Sequence, residues 1–410
     1  MPLLSRAKRN LLLAVSEQLG MRVINFLTFV VIARYVAEEE IGTLGLAWTV
    51  VFFFEALTTT ALIPAFIQHR HSNLLLRSTF FWLCTIGGVV GSGLMVAGAW
   101  TWGWFRTDFS LVGIVNFTAL IFLIRMLGTA HQSVLLKEER QGFIATRTTI
   151  SSIVGGVVGI TLAVSGVGIW ALLWRTLASA IIDTLGSLFY RPWWPAARLS
   201  KRAARQLIGF SGSLVVAQFG KLVIFSAQQF TITGVRGIEA MGRLTVAARV
   251  PEVFYQTLSS INDRFLLPYS AAEARKKKDP QELFMRIVTI GSVLMVVGLL
   301  ILFPLREWFV GLIFGERWLE VSLAFFIIIA GTCFGYLRHV LETMLTANGH
   351  PRGTLIGFGW LAAGLPFYIL GAFHSLEAAV LARALSEIGS FIHLIVRGRK
   401  IFPKSAPQPA

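Results

Sequence analysis

The residues that could do chemistry are charged side chains stranded in apolar runs. Arg22, Arg125, Lys221, Arg249 and Arg338 lie in stretches otherwise dominated by apolar residues and glycine, and so do the acids Glu17, Glu55 and Asp183. An Arg near a bilayer centre costs about 2.5 to 3.5 kcal/mol on insertion scales, while a Leu, Ile, Phe or Val returns about 0.3 to 0.6. Such cations are expected to face a cavity or a partner. A guanidinium binds phosphate or carboxylate oxygens in pairs and an ammonium supplies a point charge, so the set suits an anionic ligand and suits an organic cation badly. Arg22, Arg125 and Lys221 have no acid three or four residues along and are the first candidates to bind that ligand. Arg249 with Glu252, Arg338 with Glu342 and Arg383 with Glu387 have one, and these read equally as locally neutralised pairs. Glu55, with Glu17 and Asp183 behind it, is the candidate for coupling to a cation or proton; a packing or headgroup role is the alternative for each.

In the first apolar run, a turn of about 100° per residue gathers Glu17, Gln18, Arg22, Asn25 and Thr28 into one arc of roughly 140°. This polar stripe is either a cavity-lining face or a packing face with an internal ion pair. Gln18 also opens a repeat. The stretch 18–50 recurs without a gap at 218–250, with identities at Gln18/Gln218, Gly20/Gly220, Val23/Val223, Ile24/Ile224, Ile32/Ile232, Glu39/Glu239, Gly42/Gly242, Leu44/Leu244, Ala47/Ala247 and Val50/Val250. Chance would supply about two or three over such a window, even in an apolar alphabet. Ala171 and Arg175 return as Ala379 and Arg383. Two copies of a many-helix unit fit a transporter built from repeated halves. The two glutamines are shared, whereas Arg22 faces Leu222 and Met21 faces Lys221, so specificity is to be sought where the copies differ in charge.

The elements that must position these groups are membrane helices. The chain is 55% hydrophobic and 14% charged, with apolar runs of bilayer-spanning length from end to end. We expect an all-α polytopic membrane protein of about twelve transmembrane helices, arranged as two six-helix lobes around a central cavity. The first six spans fall at 11–35, 44–68, 79–102, 111–131, 148–164 and 169–190. The second six fall at 206–235, 239–269, 285–314, 321–347, 354–373 and 376–396. The lobes are then 1–190 and 206–397, joined by a basic cytoplasmic linker at 191–205 and followed by a tail at 398–410. The N-terminal segment reads as a membrane helix, since it is long and carries Glu17 and Arg22.

Lys and Arg crowd one set of connections, including Arg70, Arg77, Lys137, Arg140, Arg147, the cluster at 191–205 and the run 275–278. By the positive-inside rule both termini are cytoplasmic, and the net charge of +16 is explained without nucleic acid. Anionic lipid is a secondary attraction for the 275–278 run. Trp100, Trp102 and Trp104 suit headgroup depth at the opposite ends. Arg175, near Trp170 and Trp174, is expected to snorkel there. Gly87, Gly91, Gly155 and Gly159 read as close helix contacts. Cys84 and Cys333 are single and distant, so neither a disulfide nor a metal site is indicated. The phosphate-loop, zinc-protease and serine-hydrolase motifs are absent from the sequence. No cofactor is expected beyond a possible coupling cation or proton.

The runs Ile32-Ala-Arg-Tyr-Val36, Glu40-Ile-Gly-Thr-Leu-Gly-Leu46, Ala61-Leu-Ile-Pro-Ala-Phe-Ile-Gln68 and Gly166-Val-Gly-Ile-Trp-Ala-Leu172 resemble the polysaccharide and O-antigen flippases. These belong to the multidrug, oligosaccharidyl-lipid and polysaccharide exporter superfamily. The resemblance implies alternating access and a polyprenyl-pyrophosphate-linked oligosaccharide as cargo, its tail remaining among the membrane lipids. It also implies a bacterial inner membrane and glycan polymerase or export machinery as partners. An ion-coupled drug antiporter of the same fold is the rival, and a membrane-embedded glycosyltransferase or glycan polymerase the second.

Overall fold

The computed structural model describes residues 19–69, 73–106, 110–190, 192–209, 212–275, 280–347 and 353–401. They form α1 (Leu19–Ala33), α2 (Glu38–Gln68), α3 (Leu74–Arg106), α4 (Ser110–Lys137), α5 (Gln141–Val164), α6 (Trp170–Tyr190) and α7 (Lys201–Gly209). Then follow α8 (Gly212–Arg236), α9 (Ile238–Arg275), α10 (Pro280–Phe314), a 3-10 turn (Glu316–Val321), α11 (Ser322–Ala347), α12 (Gly353–His374) and α13 (Leu376–Ile401). Among the described residues there is no strand, and nine helices are long and apolar enough to cross a membrane by length and composition. A helix satisfies its own backbone, which is what a chain in hydrocarbon requires. The protein is an all-α multi-pass membrane protein.

Helices lie at each of the twelve expected spans with displaced ends; nine are the candidate crossings just given, α1 is shorter, with 11–18 outside the described residues, and α8 and α9 are not among the nine. The acidic residues Glu38, Glu39 and Glu40, expected in a connection, form the first turn of α2, where negative charge meets the positive end of the helix dipole. At the far end of α2 no basic residue lies in the last turn. Lys137 of α4 serves instead, donating to the carbonyls of Phe66 at 3.1 Å and His69 at 2.5 Å. Three later helices are started by side chains that accept from the N–H three residues on: Asn73 from Leu76, Ser200 from Ala203 and Ser375 from Ala378. The linker expected at 191–205 and the start of the seventh span at 206 are revised, because 201–209 fold as the separate helix α7.

The chain divides into two compact units, Met1–Gln229 and Phe230–Ala410. The boundary falls inside α8 rather than at 191–205. In the first unit α3 packs on α4, α5 on α6, and α4 on both α2 and α6. Leu62, Phe66, Phe80 and Val134 of α2, α3 and α4 form a core that also takes in Ala203 and Leu207 of α7. Phe66 and Phe80 stack there at 4.5 Å. Glycines set the close approaches: a Cβ on Gly87 would strike Thr58, one on Gly91 would strike Phe122, and one on Gly159 would strike Arg175. In the second unit α11 is central, packing on α9, α10 and α13, with α12 laid along α13.

The repeat persists as matched packing. Ile32 and Ile232 are fully buried, as are Ala171 and Ala379, and Leu44/Leu244 and Ala47/Ala247 are buried in both copies. Many of the identities are thus positions where each unit needs a side chain of one shape. The motif 166–172 is likewise structural. Gly166 and Gly168 have φ of 76° and 66°, the left-handed region that glycine enters without a Cβ penalty. The turn they make presents the Ile169 N–H to Glu40 Oε1 at 3.2 Å, while Glu40 Oε2 accepts from the Ala37 N–H at 3.0 Å. One carboxylate therefore fastens the start of α2 to the start of α6.

Candidate functional site

In the first unit, the polar groups of α2, α4, α5 and α6 converge. Arg125 Nη2 of α4 lies 2.9 Å from Glu55 Oε1 of α2, with the two side chains 38% and 22% exposed. The cation read as unneutralised and the acid read as alone in its span are each other's partner. On α6, Asp183 Oδ1 is 3.3 Å from Arg147 Nε of α5. Asp183 also lies beside Ser151, whose hydroxyl donates to the Thr148 carbonyl at 3.0 Å, and within electrostatic range of Arg125. Arg147 donates further to Ser187 on the next turn of α6. The sequence of charges Glu55, Arg125, Asp183, Arg147 alternates in sign and sums to zero. Glu55 Oε2 stays buried with no hydrogen-bond partner among the described residues.

Arg147 is the member that sequence reasoning missed. It reads as the end of a basic connection, yet its side chain is only 3% exposed because Gln141–Val164 is helical throughout. Gly186 makes the room: a Cβ there would sit 2.9 Å from the Arg147 Cγ and Cδ. The legible signal was Asp183, Gly186 and Ser187 on one face of α6, spaced three and four apart.

The stripe of the first span is divided by the structure. Arg175 of α6 donates to Asn25 Oδ1 at 2.5 Å, so this arginine turns onto α1 rather than only toward headgroups. Thr28 is buried, with its hydroxyl close to where a Gly156 Cβ would be. That part of the stripe is a packing face against α5 and α6. Arg22, a turn before Asn25, is half-buried and has interactions of its own. Glu17 and Gln18 lie outside the described residues, and Gln218 falls on α8 with its side chain outside them. Lys221 is half-buried on α8 and makes no ion pair among the described residues. Two residues earlier, Phe219 packs on Phe53 of α2 with ring centroids 5.5 Å apart, which brings α8 to the stretch of α2 that carries Glu55.

In the second unit the pairs expected from spacing form, with one exchange. Arg249 meets Glu252 at 3.4 Å on the surface of α9. Arg338 meets Glu342 at 2.5 Å, and its Nε reaches Glu387 of α13 at 2.9 Å. Glu387 thus serves Arg338 instead of Arg383, which is exposed. Arg338, Glu342 and Glu387 are 6%, 4% and 13% exposed, so this cluster is a buried clamp between α11 and α13. Gly357 of α12 closes over it: a Cβ there would strike both Arg338 and Glu342. Buried in this way, Arg338 is poorly placed to meet a ligand, and Arg249 is held by its own surface acid.

The family described as polysaccharide biosynthesis protein matches residues 31–323. The chain is similar to the succinoglycan biosynthesis transport protein ExoT of Rhizobium meliloti, at 22% identity over 76% of this chain and 63% of that one. It is 21% identical to the lipopolysaccharide biosynthesis protein WzxC of Escherichia coli over 70% of this chain and 59% of that one. The chain therefore spans less than two thirds of the length of these relatives. Among solved structures, an inward-facing multidrug resistance transporter of the MATE family, in the MOP superfamily, superposes with a TM-score of 0.72 at 11% identity, covering 95% of this chain and 98% of that one. The lipid II flippase MurJ in an inward closed conformation gives 0.68 at 14% identity, covering 95% and 87%. At these identities the likeness is one of fold.

Proposed function

Because the chain belongs to the polysaccharide biosynthesis protein family, we propose that it is a membrane flippase for a polyprenyl-pyrophosphate-linked oligosaccharide. It carries the repeat unit of an O-antigen, capsule or exopolysaccharide from the cytoplasmic to the outer leaflet of a bacterial inner membrane. The match across 31–323 carries this reading, and the fold shared with MurJ and the MATE transporter supports movement of a large amphipathic cargo. Both termini are cytoplasmic in this reading, on the strength of the Lys and Arg gathered at one set of helix ends.

The headgroup is taken up by Arg125 and Lys221, with Arg22 of α1 as a third candidate. Arg125 is 38% exposed and held by one carboxylate, so an arriving pyrophosphate competes with Glu55 for it. Glu55, whose second oxygen is unpartnered among the described residues, is then the candidate for ion coupling. Deletion of the gene with analysis of lipid-linked saccharides tests the function. Accumulation of the intermediate in the cytoplasmic leaflet, cured by wild type and not by Arg125→Gln, is the expected result. Normal surface glycan with hypersensitivity to cationic drugs would move the assignment to a drug antiporter of the same fold. Normal transport by Arg125→Gln would remove this residue from the site.

A further inference from the structure

A polar cavity lies in the first unit at the α6 end of the charge network, with Ser187, the partner of Arg147, on its wall. Its volume is about 390 Å³, and it opens between the start of α3, the ends of α4 and α6, and the chain just after Tyr190. Arg77 and Glu138 stand on its wall with Nη2 and Oε1 3.4 Å apart, both side chains about a quarter exposed. Tyr190, Trp193 and His131 supply aromatic walls. His131 stacks on Trp193 at 4.5 Å, and its Nε2 is 3.2 Å from the Trp193 carbonyl, so the wall is built rather than incidental. The segment behind it is tied to α3: Trp82 donates to the Ala196 carbonyl, and Ser78 and Thr79 accept from the N–H groups of Ala196 and Ser200. Close by in sequence, Phe189 and Trp194 are 75% and 83% exposed, as aromatic residues at headgroup depth are.

We propose that this cavity binds the headgroup of a zwitterionic phospholipid of the phosphoethanolamine type. The phosphate takes Arg77, and the ammonium takes Glu138 with the aromatic rings beside it. A purely anionic headgroup would meet the Glu138 carboxylate, a purely cationic ligand would meet Arg77, and a neutral sugar could hydrogen-bond both but would compensate neither charge. One cation and one anion side by side, each about a quarter exposed and flanked by aromatic rings, match a ligand that carries both signs. The leaflet concerned is the cytoplasmic one if the orientation proposed above holds, and the binding itself is independent of that orientation and of the cargo.

The test is native mass spectrometry of the purified full chain in detergent with phosphatidylethanolamine, phosphatidylglycerol or free phosphoethanolamine added. Wild type is expected to retain one phosphatidylethanolamine in preference to phosphatidylglycerol. Glu138→Gln is expected to weaken that retention about tenfold, a single favourable charge contact, while phosphatidylglycerol binding is unchanged or improved. Competition by millimolar phosphoethanolamine shows that the headgroup, not the tails, is recognised. Because Glu138→Gln also removes an ion pair, Tyr190→Leu serves as a second variant that keeps the pair and is expected to lower retention as well. Equal retention of both lipids by wild type, or unchanged selectivity in both variants, overturns the proposal.

Discussion

At the scale of residues, the intramembrane charges behave as pairs whose partners lie on other helices. Replacing Arg147 with Leu leaves Asp183, 36% exposed beside Ser151, without its cation, and losing that contact costs about 1 to 3 kcal/mol. We expect the single variant to unfold well below wild type in detergent, and Arg147→Leu with Asp183→Leu to recover most of the loss. A double variant no more stable than the single would contradict the pairing. Gly168→Ala forces a side chain into the left-handed region and against Glu40, so a loss of about 1 to 2 kcal/mol is expected. Gly93→Ala on α3, where nothing lies within 4 Å, is expected to be neutral or to stabilise by up to about 1 kcal/mol. What the sequence revealed of the site follows from distance along the chain. Arg338 with Glu342 was legible because the two share a helix face, whereas Arg125 with Glu55 depends on the packing of α4 against α2. No local spacing encodes that second contact.

At the scale of elements, the first unit is closed at one end by borrowed parts. Lys137 of α4 caps the carbonyls that end α2, so Lys137→Met is expected to cost about 1 kcal/mol and Lys137→Arg considerably less, read as thermal midpoints of the purified protein. α7 adds Leu207, fully buried, to the core made by α2, α3 and α4; Leu207→Ala is expected to cost about 2 to 4 kcal/mol. The twelve apolar runs announced the major helices because hydrocarbon leaves a backbone few alternatives. α7 was not announced. Its apolar residues run on into the next span and its basic ones resemble a linker, so only the fold of Ala203 and Leu207 into the core marks it as an element. Gly155 and Gly159, expected as contact residues, do let α5 lie against Ser179 and Arg175 of α6.

At the scale of the whole molecule, the duplication explains architecture, and the proposed site draws on positions where it breaks down. Positions shared by the copies, such as Ile32 with Ile232 and Ala171 with Ala379, are buried in their own units. Arg22 and Lys221 are charged at positions where the other copy has Leu222 and Met21, and the shared arginines differ in surroundings, Arg175 bonded to Asn25 and Arg383 exposed. A duplicated scaffold with unlike charge in its two copies suits a carrier whose cargo has one charged end. The most direct measurement uses proteoliposomes holding the purified chain and a polyprenyl-pyrophosphate-linked oligosaccharide placed in one leaflet, with a membrane-impermeant glycosidase reporting exposure on the other. The account expects wild type to transfer the glycan, the rate to fall about tenfold or more in Arg125→Gln and Lys221→Gln, and the mock-reconstituted vesicles to transfer none. Glycan that stays in its original leaflet with wild-type protein, in vesicles where the same preparation is folded and helical, would contradict the central claim.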